Sequence, residues 1–213
     1  MGFAFTQQSL EHLVNKNYRL LFALRILLSL FLIAGLYTLW VLILLLLLAL
    51  ILLHLFQGPY NGGADRMSLL ILSVLSLIQL TPSPRWQEVF FGYLAMQLLL
   101  SYFIAGWVKL INPDWRKGQA LSNIFRFSVY PVSEQLRQLS VRPRLLFYTS
   151  WMVILFECLF PLSLISNISL IIALTAATLF HFSNACFFGL NRFFWIWIAS
   201  YPSLLWFQTR LLS

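Results

Sequence analysis

The sequence predicts an all-α integral membrane protein, a polytopic bundle of about seven transmembrane helices with interfacial amphipathic helices between spans four and five. Three observations predict it. Of 213 residues, 61% are hydrophobic and only 9% are charged, whereas a soluble domain carries about a quarter charged residues. Mean hydropathy is +0.84. Runs such as Val41 to Leu53 are apolar on every side, which excludes the alternating segments of a transmembrane β-barrel. At about 20 residues per span plus short loops, the spans consume residues 1–213 as a single transmembrane domain and leave no room for a separate soluble one.

Each element has a local reason. Residues 1–17 form a polar N-terminal segment expected on the membrane surface. It lacks the apolar core and small-residue cleavage site of a signal peptide, so the first span is expected to be retained as an anchor. That span runs from Tyr18 to Leu36 and the second from Thr38 to Phe56, with almost no linker, which predicts a tight helical hairpin. Gln57-Gly-Pro-Tyr-Asn-Gly-Gly63 is a run of turn signals. The third span, Met67 to Leu80, is short and must tilt or continue into its flanks. Thr81-Pro-Ser-Pro84 breaks it, and the fourth runs from Val89 to Ile111. The connection 112–144 is the long one. Trp115, Leu121, Ile124, Phe125 and Val129 recur there at helical spacing, and Leu136 and Leu139 recur after Pro131. Two amphipathic helices lying in the membrane interface are expected. The fifth, sixth and seventh spans follow at Leu145–Ile165, Ile168–Phe188 and Phe193–Phe207. No internal repeat is visible.

The net charge is +8. No basic run is interleaved with stacking aromatics on a polar surface, so no nucleic-acid partner is expected. Basic residues instead mark the cytoplasmic rims of helices. With the N-terminus placed in the cytoplasm, the inner side receives Lys16, Arg19, Arg25, Arg66, Arg192 and the connection's Arg116, Lys117, Arg126, Arg137, Arg142 and Arg144. The outer side receives Arg85 and Arg210. The expected protein is therefore multi-pass, with a cytoplasmic N-terminus and the lipid bilayer as its first partner. Cys158 and Cys186 fall inside apolar spans and are expected to act as small buried hydrophobes.

Ionisable side chains are costly in lipid and mark functional sites by default. Five fall in or near the spans: Arg25, His54, Lys109, Glu157 and His181. Arg25 and His54 lie close enough to helix ends to snorkel to the interface. Lys109 shares a helical face with Tyr102 and with Ala105 or Gly106, whose small side chains open space beside it. It acts as a base in an apolar pocket or reaches the headgroups; both readings stand. Glu157 is too deep to snorkel and must be neutral, paired with a cation, or bound to backbone. Pro161 removes the backbone bond to the Glu157 carbonyl, a kink that is functional or merely tolerated. His181, Asn184 and Phe188 line one face of the sixth span. A shared interior polar cluster of Lys109, Glu157 and His181 would serve all three. One histidine and one carboxylate make a poor ligand set, so no metal is expected.

These same residues carry a resemblance. Tyr102-Phe-Ile-Ala-Gly-Trp-Val-Lys-Leu110, followed by Asp114-Trp115 and Gly118, resembles the vitamin K-dependent γ-carboxylase family, whose bacterial members are called horizontally transferred transmembrane domain (HTTM) proteins. His181-Phe-Ser-Asn184 with Phe188, Phe193 and Tyr201-Pro202 is similar to it too, as are Phe22-Ala-Leu-Arg25-Ile, Asn61-Gly-Gly-Ala-Asp65, and Phe156-Glu157 with Pro161. The similarity runs in order over roughly residues 17–208. It implies that Lys109 is the base that deprotonates a reduced quinone, with Glu157 and His181 in support and Tyr102, Asn184 and Trp107 contacting the substrate. A neutral amine suits that task. The animal enzyme's extramembrane substrate-recognition region, its disulfide, and a functional histidine falling near Asp65-Arg66 have no counterpart here, and its active site faces the lumen. Peptide carboxylation is thus the weaker expectation, and handling of a quinol or another lipid-soluble substrate the stronger.

A second reading is a non-catalytic integral subunit or assembly factor of a larger membrane protein complex. The small size, and 20 Phe, 8 Trp and 8 Tyr that suit helix interfaces and aromatic belts, motivate it. Transport ranks last, because inverted repeats and paired broken helices are absent from the sequence.

Overall fold

In a computed structural model, residues 1–14, 18–55, 62–127 and 133–212 are described. All regular elements among them are helical: α1 Gly2–His12, α2 Arg19–Ile33, α3 Thr38–Leu55, α4 Gly62–Leu80, α5 Pro84–Ile111, α6 Pro113–Arg116, α7 Gln119–Phe127, α8 Glu134–Arg137, α9 Pro143–Leu159, α10 Asn167–Phe188 and α11 Asn191–Leu212. Short 3-10 segments cover Gln138–Val141 and Phe160–Ile165. Lys16, Val129, Pro131 and most of the turn from Gln57 lie outside the described residues.

Five segments are long and apolar enough to cross a membrane: Thr38–Leu55, Gly63–Leu80, Pro84–Ile111, Pro143–Ile165 and Asn167–Phe188. These are the second to sixth expected spans. The other two expected spans correspond to α2, with 15 residues, and α11, with 22. The outward row Leu44, Leu47, Leu50 and Ile51 on α3 is exposed. Water tolerates no such continuous apolar surface, and lipid does. The protein is therefore an all-α integral membrane bundle.

The chain divides into two compact units. One comprises Met1–Ala95 with Asn191–Phe207, the other Met96–Leu190 with Gln208–Ser213. In the first, α2 and α3 form the expected tight hairpin. Gly35, at φ +70°, turns the chain, and the Leu36 amide donates back to the Phe31 carbonyl at 3.0 Å. The short third span continues into its N-terminal flank, since α4 begins at Gly62. The N-terminal segment is a helix packed on α2. Phe5 and Ser9 are wholly buried, and a Cβ on Gly2 would fall 2.5 Å from Ile33.

The second unit shows what covers the apolar stripe of the 112–144 connection. Its α7 is amphipathic, but the apolar face is turned into the protein. Leu121 and Phe125 are buried with Leu146 and Phe188, and Trp115, Ile124, Leu136, Leu139 and Leu190 pack around them. Protein neighbours on α9 and α10 cover that stripe. Ser122 ties α7 to the Gln138–Val141 turn by donating to the Ser140 carbonyl at 2.9 Å. The basic face with Arg116, Lys117 and Arg126 is exposed. Pro161 acts as the sequence requires: α9 ends at Leu159 and the chain continues as a 3-10 segment. The cysteine expectation is corrected, since Cys158 is half-buried and Cys186 exposed. Cys186 lies on an outward face of α10, where lipid solvates a thiol as readily as a core does.

Candidate functional site

In the second unit, α5, α9 and α10 hold three of the five intramembrane ionisable residues in two separate polar pairs, not in the single cluster expected. Lys109, on the last turn of α5, donates to Glu157 Oε2 on α9 at 2.6 Å. It also reaches back one turn to the Ala105 carbonyl at 3.3 Å. Its Nζ lies 5.3 Å from the centroid of the Trp115 ring, a cation–π contact. The side chains of Lys109 and Glu157 are 17% and 5% exposed. Lys109 thus does not snorkel away; it is held by a carboxylate, a carbonyl and an aromatic face.

Gly106 makes the pair possible. A Cβ at this position would lie 2.6 Å from the Cys158 amide nitrogen and 2.9 Å from the Glu157 carbonyl carbon. The backbones of α5 and α9 approach at a small residue, as transmembrane helices do when they pack closely. One turn further along α5 stands Lys109, so the close approach brings Glu157 within reach.

Trp115 is positioned by a separate set of ties. Asn112 caps α6 by accepting from the Asp114 amide at 2.9 Å, and Pro113 fills the first helical position. Ser150 donates to the Trp115 carbonyl, and the Trp151 indole donates to the Arg116 carbonyl at 3.0 Å. Gly118 closes the turn at φ +74°, against α9. A Cβ there would fall 2.7 Å from the Phe147 amide nitrogen, so both the conformation and the space require glycine.

Two turns back along α5, roughly 10 Å from Lys109 along the helix axis, the Tyr102 hydroxyl is hydrogen-bonded to His181 Nε2 at 2.8 Å. Both residues are buried. The Tyr102 ring stacks on Phe160 at 3.9 Å and meets Phe156 edge-on, and Phe180 packs edge-on to His181. Two polar pairs therefore lie along one helix face in an aromatic wall. Asn184 is half-buried one turn beyond His181. Trp107 is not brought to either pair: it is 50% exposed and stacks along Phe103 on the outer side of α5. His54 is exposed at the end of α3, as a snorkelling residue would be.

Sequence reasoning missed a second polar cluster, in the first unit. Asp65 on α4 is ion-paired with Arg192 on α11, and Arg25 is 3% exposed beneath α1. The snorkelling reading of Arg25 is therefore corrected: α1 covers it, with Phe5 against its guanidinium at 4.3 Å. The spacing of Phe5, Ser9 and His12, one helical face of a segment read only as polar, was the signal available. Among the described residues, no group of three His, Cys, Asp or Glu side chains is placed to hold a metal ion.

Residues 64–209 match the HTTM domain. The chain belongs to the HTTM domain family. The match covers more than half of the chain and includes every residue of the Lys109–Glu157 and Tyr102–His181 pairs. It begins at Ala64, so α1 to α3 and the Phe22–Ile26 motif precede it. No curated protein and no solved structure matches the chain.

Proposed function

We propose that this HTTM protein is a membrane enzyme that deprotonates a lipid-soluble quinol, with Lys109 as the base. The observation that carries the reading is the Lys109–Glu157 pair, half-buried at the lysine and buried at the carboxylate, on apolar helices that also carry a second hydrogen-bonded pair. Taking two charges out of water costs several kcal/mol per ion, so an intramembrane pair is weak as a stability device and a functional-site hypothesis by default. Chemically, the arrangement suits a base. Lys109 accepts a proton only as a neutral amine, and Glu157 lies at hydrogen-bond distance to receive the proton that the ammonium gives up. The aromatic rings of Trp115, Phe156 and Phe160 surround the two pairs with an apolar environment suited to a planar ring substrate. Tyr102 and His181 would orient that substrate or relay its proton. In this reading the N-terminus is cytoplasmic, as the distribution of basic residues supports.

The test is aerobic oxidation of a reduced naphthoquinone by the full chain in lipid nanodiscs. The Lys109→Ala variant is expected to lose about 100-fold or more of the rate, the usual worth of a positioned base. Glu157→Gln is expected to lose less, because the amine remains. A Lys109→Ala rate equal to that of the wild type overturns the proposal.

A further inference from the structure

The cluster beneath α1 has an unbalanced charge. Arg25 is 3% exposed, and its Nε and Nη1 have no hydrogen-bond partner among the described residues. Phe5 covers one face of the guanidinium at 4.3 Å. Electrostatically, Arg25 faces a second guanidinium, Arg192 from α11, and a single carboxylate, Asp65 from α4. That carboxylate is already the partner of Arg192. From α1 come His12, stacked on Phe22 at 4.9 Å, and Glu11, which accepts from Asn191 at 3.0 Å and is also hydrogen-bonded to Gln7. Glu11 is exposed. Buried Arg25 and half-buried Arg192 thus share one half-buried anion, Asp65.

A further donor lies in the same seam. Ser9 is fully buried and its Oγ has no hydrogen-bond partner among the described residues. On α1, Ser9 falls between Phe5, which lies over Arg25, and His12, which lies over Phe22; all three share one helical face. Water in the seam would satisfy the hydrogen bonds but not the charge, and an uncompensated buried charge is among the costliest features a fold can carry. Unpartnered guanidinium and hydroxyl donors buried along the same helix pair match an oxyanion, and arginine suits phosphate in particular.

We infer that the seam between α1 and α2 is a binding site for a phosphate group, held by Arg25 and Ser9 beneath the Phe5 ring. Depth agrees with this chemistry. Arg25 is six residues into α2, about 9 Å along its axis, close to where the headgroup region meets the hydrocarbon. The phosphate of an anionic phospholipid or a free phosphate ion presents the same oxygens there. Arg25 and Ser9 precede the residues that match the HTTM domain, whereas Asp65 and Arg192 lie within them. The site therefore joins the flanking helices to the family domain.

The experiment is thermal unfolding of the full chain in an uncharged maltoside detergent. Inorganic phosphate and dihexanoylphosphatidylglycerol are titrated separately, each against chloride at equal ionic strength. At least one of them raises Tm of the wild type by several degrees, and the one that does so identifies the source. Arg25→Gln abolishes the shift. Ser9→Ala, which is small enough to fold in any case, weakens binding roughly three- to tenfold, the worth of one hydrogen bond to an anion. No Tm rise beyond chloride from either probe, an unchanged shift in a folded Arg25→Gln, or unchanged affinity in Ser9→Ala each overturns the site.

Discussion

Single residues in this protein are legible by asking what each charge faces. Lys109 faces Glu157, and Asp65 faces Arg192. His12 faces the opposite situation. It sits outside the apolar spans, and burial first, then the nearby Arg192, hold its pKa below the ordinary histidine value. The neutral ring, stacked on Phe22, is the form that the fold favours. The unfolded chain therefore binds more protons than the native one between the lowered value and about 6.5. Stability is fully present above that pH and is lost as pH falls through this window. His12→Phe keeps the stacking and removes the titration. Between pH 7.5 and pH 5.5, Tm of the wild type is expected to drop by roughly one to three degrees more than that of His12→Phe, since about 1 kcal/mol moves Tm by ~2–4 °C at this size and solvent screening removes part of the effect. Parallel curves for the two proteins would show that His12 is not the sensor.

At the scale of elements, small residues decide where helices meet. Gly106 and Gly92 both lie on α5, and their surroundings differ. A methyl group at Gly106 meets the α9 backbone at 2.6 Å, whereas at Gly92 it meets the Phe207 ring at 3.7 Å, an ordinary contact. Gly106→Ala is thus expected to cost about 1–3 kcal/mol by overpacking and to lower quinol oxidation by prising Lys109 from Glu157. Gly92→Ala should leave both nearly unchanged. Equal Tm and equal rates for the two variants would contradict the role given to Gly106. The helices themselves were readable in the sequence, because lipid forces every span to be long, apolar and internally hydrogen-bonded. The proline signals were readable too: α5 opens at Pro84, and α9 gives way to a 3-10 segment before Pro161. What the sequence hid was the partner of each amphipathic face. The stripe of α7 fits lipid and protein equally well, and only the positions of Leu146 and Phe188 decide for protein. Arg25 was misread for the same reason: a residue near a helix end snorkels only if nothing covers it, and α1 covers it. The Lys109–Glu157 contact was foreseeable as a need for partners, while Trp115, which comes from a turn pinned by Ser150 and Trp151, was not.

At the scale of the whole molecule, the two compact units divide the polar groups between them. The unit of Met96–Leu190 holds Lys109, Glu157, Tyr102 and His181, and that of Met1–Ala95 with Asn191–Phe207 holds Arg25, Asp65 and Arg192. Lys109, the cation of the first set, has its counterpart, Glu157, within the same unit. The proposed enzyme gives this set a use, whereas buried charge pairs add little net stability compared with apolar packing. Native mass spectrometry after gentle solubilisation is therefore expected to show one chain carrying a small apolar ligand of the mass of a prenylated quinone. In the Lys109→Ala variant that ligand should persist, since the aromatic wall of Phe156 and Phe160 stays in place while the base is gone. A stoichiometric assembly with other proteins and no bound quinone would instead make the pair an interface feature, and the catalytic reading of Lys109 would fall with it.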